Sequence, residues 1–186
     1  MVYQRWIILF LLAFGLSGCF STKIAENSYR VGNYKVTETI YRKDEFPDPA
    51  FERIIRVKDG HFTTRIGSYT NESPNGIDVA PEVVDGWLVI CSSSHVFLWR
   101  PGEDAHHFTP YKADGWVAYA HQFGTLGLDG HYGYHAVRFW IDAGRWFIRY
   151  ECVPAYCEAE SPSSILFTSD DEGLTYMIKT DIDDVK

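Results

Sequence analysis

The sequence predicts an all-β protein assembled from antiparallel hairpins. Three observations carry this reading. The chain holds 12 Tyr, 12 Phe and 6 Trp, and aromatic side chains suit a pleated, half-buried surface. Short apolar stretches recur along its length, separated by hairpin dipeptides such as Asp59-Gly60, Asp85-Gly86 and Asp114-Gly115. No segment repeats its apolar residues with a 3.6-residue period. The architecture expected is an antiparallel two-sheet sandwich or an incomplete β-propeller-like array.

The elements follow in order. Tyr29 to Arg42 reads as one long strand, with an irregularity at Gly32-Asn33. Pro47 and Pro49 interrupt the next stretch, because proline cannot donate to a ladder. Phe51–Lys58 and His61–Tyr69 form a hairpin around Asp59-Gly60. Val79–Val84 and Trp87–Cys91 flank Asp85-Gly86. Ser92-Ser93-Ser94 is a turn, and His95–Arg100 is the strand after it. Pro101-Gly102-Glu103-Asp104 closes that strand, and Ala105–Tyr111 returns. Trp116–Phe123 follows, then a Gly-rich loop over 124–130. Tyr132–Ile141 and Arg145–Val153 pair around Asp142-Ala143-Gly144. Ser164–Thr168 and Thr175–Thr180 are the last pair. The total is about twelve short strands. Four-stranded blades would then number only three, fewer than the four to eight of typical propellers.

The N-terminus is of another kind. Arg5 precedes an apolar run from Trp6 to Leu16, shorter than the roughly 20 residues a membrane-spanning helix needs. The run therefore reads as a secretory signal. It ends in Leu16-Ser17-Gly18-Cys19, which resembles the lipobox of bacterial lipoproteins. That resemblance implies cleavage before Cys19 and acylation of Cys19, so that the protein is lipid-anchored in the cell envelope. Phe20 stands where an Asp would retain such a protein at the inner membrane, which implies an outer-membrane site facing the periplasm. The expected organisation is a signal peptide over 1–18, an acylated tether over 19–28 and a single domain over 29–186.

Arg5 is the sole charge in the first 18 residues, so the remaining 168 hold 16 cations against 25 anions, a net −9. An acidic balance argues against nucleic acid and against anionic lipid headgroups as partners, and suits a basic protein. With Cys19 acylated, three cysteines remain. Cys152 and Cys157 can close a short loop in an oxidising compartment, leaving Cys91 a buried thiol. Cys91 pairing with one of them is the alternative.

Ser169-Asp170-Asp171-Glu172-Gly173-Leu174-Thr175-Tyr176 matches the Asp-box pattern S-x-D-x-G-x-T-[aromatic]. In this motif Ser169, Asp171, Gly173, Thr175 and Tyr176 are structural. The carboxylate accepts backbone N–H groups across the turn, Gly173 supplies unusual backbone geometry, and Tyr176 packs beneath. Asp-boxes recur in sialidase-like propellers, but one box marks a fold detail rather than a site.

No pattern for catalysis, cofactor or metal stands out. The chain lacks G-x-S-x-G and H-E-x-x-H. His106 and His107 should point to opposite faces of a strand. His131 and His135 are too far apart along a strand to share one zinc. The reading is therefore non-enzymatic, with no cofactor and no metal. Trp87, Trp99, Trp116, Trp140 and Trp146 are candidates either for the core or for surface anchoring of a partner.

A further resemblance concerns function. The lipobox is followed by Tyr34-Lys35-Val36, Thr39-Ile40-Tyr41-Arg42, Phe51-Glu52-Arg53-Ile54-Ile55-Arg56-Val57 and His95-Val96-Phe97-Leu98-Trp99-Arg100-Pro101-Gly102. Together these resemble small lipoproteins that act as immunity proteins against phospholipase effectors of type VI secretion. The resemblance implies an inhibitor that binds and neutralises a secreted phospholipase toxin in the periplasm. It assigns no inhibitory residue; acidic loops at Asp44–Asp48 and Glu158–Glu160 are candidates for steering a basic partner. The alternatives are an envelope structural or assembly lipoprotein, and a carbohydrate-binding or sialidase-like protein.

Overall fold

The computed structural model describes residues 21–44, 49–71, 79–110, 113, 134–152 and 163–179. Within them the chain is all β, in three antiparallel four-stranded sheets. The first contains β1 (Ser21–Val31), β2 (Tyr34–Lys43), β3 (Ala50–Asp59) and β4 (Phe62–Asn71). The second contains β5 (Glu82–Val84), β6 (Trp87–Ser92), β7 (His95–Trp99) and β8 (His106–Phe108). The third contains β9 (Tyr134–Asp142), β10 (Arg145–Cys152), β11 (Ser164–Ser169) and β12 (Met177–Lys179). In each sheet the strands lie side by side in chain order.

Tight hairpins explain that order. Asp85-Gly86 joins Val84 to its partner Trp87, and both turn residues have positive φ, 48° and 83°. Ala143-Gly144 does the same between Asp142 and Arg145, at 48° and 80°. Two consecutive left-handed residues give the turn whose twist matches the flanking strands. Ser93-Ser94 and Gly60-His61 are further two-residue connections.

Two expectations about the N-terminal sheet need correction. Gly32-Asn33 is not an irregularity within one strand; it is a hairpin turn with Gly32 at φ 57°, pairing Val31 with Tyr34. Residues 21–28 are not a tether but the first part of β1. This edge strand is exposed or half-buried throughout, so it has no apolar alternation to reveal it. The predicted strand over 116–123 lies outside the described residues.

The sandwich has three layers rather than two. Alternation along β6 and β7 sends side chains both ways. Leu88, Ile90, Phe97 and Trp99 pack against Val36, Ile55, Val57, Ile66 and Tyr69 of the first sheet. Trp87, Val89, Cys91, Val96 and Leu98 pack against Phe139, Trp146, Ile148, Tyr150 and Phe167 of the third. The central strands β6 and β7 therefore have no solvent face, and every residue of β6 is buried, whereas the short edge strand β5 is exposed or half-buried. Gly67 makes the first contact possible: a Cβ there would stand 2.2 Å from Cε1 of Phe97. Hydrogen bonds fasten the second, from Ala136 N to Ser93 O at 2.9 Å and from the Tyr150 hydroxyl to Ser94 O at 2.9 Å.

The layer between the first two sheets also encloses an ion pair. Arg53 Nη1 donates to Glu38 Oε1 at 3.0 Å, with both side chains 0% exposed. Ser92 Oγ at 3.4 Å and Asn27 Nδ2 at 3.1 Å donate to the same carboxylate. The Tyr69 ring lies 5.7 Å from the guanidinium, and its hydroxyl bonds Ser92. Tyr69 stacks on His95, and His95 Nδ1 meets His107 Nε2 at 2.9 Å.

Candidate functional site

The Asp-box residues come together in the turn between β11 and β12. Ser169 Oγ donates to Asp171 Oδ1 at 2.7 Å and accepts from Gly173 N at 2.9 Å. Asp171 then accepts from Thr175 N at 2.9 Å and from the Thr175 hydroxyl at 2.6 Å. These bonds favour the ionised carboxyl; those from Thr175, then Ser169, depress the pKa of Asp171 to about 2. Gly173 adopts φ 85°, with the Trp146 ring 2.6 Å from where a Cβ would stand. Tyr176 is buried beneath the turn. Desolvation raises its hydroxyl pKa well above the usual tyrosine range.

This turn forms one wall of a cleft of about 470 Å³ where the ends of the second and third sheets meet. Trp87 and His106 line it, edge to face at 5.2 Å. Asp170, Asp171, Glu172 and Leu174 approach from one side and Glu103, from the β7–β8 connection, from the other. Beside it, across Asp170, lies a second hollow of about 470 Å³, lined by residues 142–145 and Phe147. Arg100 lies 4.3 Å from the Trp87 ring and pairs with Glu103 at 2.5 Å. Arg145 pairs with Asp170. Glu172 has no ion-pair partner among the described residues, and Leu174 is 79% exposed at the rim.

An aromatic floor beneath carboxylates suits a positively charged or amphipathic group. Arg100 already covers the buried Trp87 ring at 4.3 Å, so a further cation would meet the acidic walls rather than the ring. Asp171 is committed to its own turn, Glu103 to Arg100 and Asp170 to Arg145, so Glu172 is the carboxylate at the cleft with no ion-pair partner among the described residues. Sequence reasoning singled out the two turns, Pro101–Asp104 and Ser169–Tyr176, but not their meeting. Of the steering loops named from the sequence, Asp44 is described and pairs with Arg42 at 3.0 Å, whereas 45–48 and 158–160 fall outside the described residues.

The remaining candidates distribute as follows. Cys19 and Cys157 lie outside the described residues. Cys152 is disulfide-bonded and Cys91 is a free, buried thiol. Burial pushes the Cys91 pKa up to about 12. Trp87, Trp99 and Trp146 are core residues, and Trp116 lies outside the described residues. Trp140 is half-buried and stacks on Phe147 at 5.0 Å. His106 and His107 do face opposite layers, toward Trp146 and Phe97 respectively. Among the described residues no group of His, Cys, Asp and Glu is arranged to hold a metal ion, and no helix is long and apolar enough to cross a membrane.

The fold and cleft define an all-β protein of three stacked meanders with an acidic, aromatic-floored hollow between turn tips. No protein family, curated protein or solved structure matches the chain.

Proposed function

We propose that this chain is a lipid-anchored envelope protein facing the periplasm that binds a secreted phospholipase toxin and neutralises it. The observation that carries the reading is the acidic cleft. Glu172, with Glu103 and Asp170 and their partners Arg100 and Arg145, surrounds a floor of Trp87 and His106 on a scaffold whose central strands β6 and β7 are packed on both faces. A basic side chain on a toxin would enter that cleft, with the exposed Leu174 as an apolar contact beside it. Such an arrangement steers an oppositely charged partner and fixes its orientation. Tight inhibition needs an interface of about 1,600 Å² in all, so the turn tips around the cleft would share in it. The lipobox-like segment ending at Cys19 would hold the inhibitor at the lipid surface that a phospholipase attacks, raising its effective concentration there.

The test is inhibition of a phospholipase effector encoded beside this chain, read as hydrolysis of phospholipid vesicles. Stoichiometric inhibition is the expected result, and Glu103→Lys/Glu172→Lys should slow association, most strongly at low salt. Absence of both binding and inhibition overturns the proposal. A second reading rests on the carboxylates gathered at an Asp-box turn, which also suit the hydroxyls of a sugar. Binding of a glycan at this cleft, without toxin binding, would favour it.

A further inference from the structure

The net negative charge conceals a segregation. One face of the first sheet packs on the second, through Val36, Ile55 and Val57. The alternate positions point outward. There Arg30, Lys35 and Lys58 are register neighbours across three strands, and Arg56 and Arg65 are paired in the next row but one. Like charges placed opposite one another destabilise a sheet, yet none of these five makes an ion-pair contact among the described residues; Glu26 acts on Lys35 and Arg56 only from a distance. Lys23 and Lys43 lie on the same face, each bridged to a neighbour, Glu26 and Glu52. Seven cations thus stand against two anions on one face of a chain with net charge −8.

We propose that this outward face docks on an anionic phospholipid surface. The occupant follows from charge and from shape. The face is a broad sheet of four strands, three of ten residues and one of eleven; a surface of that kind matches a plane. It also follows from position. β1 begins at Ser21, two residues after Cys19, so acyl chains on Cys19 would enter the bilayer at the edge of this same sheet. A single acyl chain holds a protein only marginally, whereas a chain combined with a basic patch holds it stably. The position of the anchor rests on the function proposed above; the charged face does not. With the first sheet against the lipid, the cleft, which is built from the second and third sheets, is left clear of it.

The experiment uses the chain as the cell makes it, mixed with vesicles of phosphatidylcholine alone or of phosphatidylcholine with phosphatidylglycerol. Amine-reactive labelling of Lys35 and Lys58 is followed by mass spectrometry, and residue 19 is weighed in the same digest. Labelling should slow on anionic vesicles on the order of tenfold and recover at high salt, and this protection should be lost in Arg56→Glu/Arg65→Glu, which keeps both lysines. Equal labelling on both vesicles overturns the docking face, as does protection by an acidic polypeptide or by nucleic acid but not by vesicles. An unmodified residue 19 with protection intact would remove the anchor and leave the docking face standing. An acylated residue 19 without protection would do the reverse.

Discussion

Replacing Arg53 by Met takes away the cation paired with a buried carboxylate. Glu38 and Arg53 are both 0% exposed and 3.0 Å apart. After the substitution Glu38 keeps neutral donors, among them Ser92 at 3.4 Å and Asn27 at 3.1 Å. Removing one member of a buried pair costs about 3–5 kcal/mol, mostly as the penalty of the orphaned charge. Methionine keeps much of the arginine stem, so the packing against Tyr69 changes less than the electrostatics. With a urea dependence of roughly 2 kcal/mol/M, the unfolding midpoint should fall by about 1.5–2.5 M. The double variant Arg53→Met/Glu38→Leu removes the stranded charge along with its partner, and should recover most of that loss. Equilibrium urea unfolding followed by tryptophan fluorescence measures both. A midpoint shift below about 0.5 M for Arg53→Met, or a double variant less stable than the single, would refute the argument.

Other outcomes follow from the same packing. Gly67→Ala forces Phe97 aside and should cost about 1–3 kcal/mol, read as a lowered melting temperature; an unchanged value would mean the first two layers are not packed as described. The Asp171 carboxyl is depressed from the ordinary value near 3.9 to about 2. Its stabilising contribution is therefore complete above about pH 4 and disappears as pH falls through about 2; Asp171→Asn should flatten that part of the acid-unfolding curve. The Cys91 thiol, pushed up to about 12, should resist alkylation in the native protein at neutral pH and react once urea unfolds it. Rapid native labelling of the Cys91 peptide would contradict its burial.

What the sequence made legible was local. Asp85-Gly86 and Ala143-Gly144 announced hairpins because positive φ at two successive positions has few chemical solutions. The Asp-box residues could be named in advance because all of their partners lie within one turn. The third layer was harder to see. Its signal was the continuous apolar run in Trp87–Cys91, where a sheet with one wet face would alternate, and a run of that kind fits more than one buried environment. β1 escaped because an exposed edge strand carries the composition of a linker. Glu38 sits between Thr37 and Thr39, and Arg53 between Glu52 and Ile54. Nothing local distinguishes a carboxylate that faces another sheet from one that faces water. The cleft, likewise, exists only because two turns distant in sequence are brought together by the stacking of the sheets.

The strictly sequential order of strands bears on how the chain acquires its shape. Each ladder closes a connection between neighbours in the sequence, so pairing within a meander is kinetically cheap. Stacking the meanders is the step that remains. Until it is complete, the central meander is greasy on both sides, and a half-assembled chain would be the species most prone to aggregate.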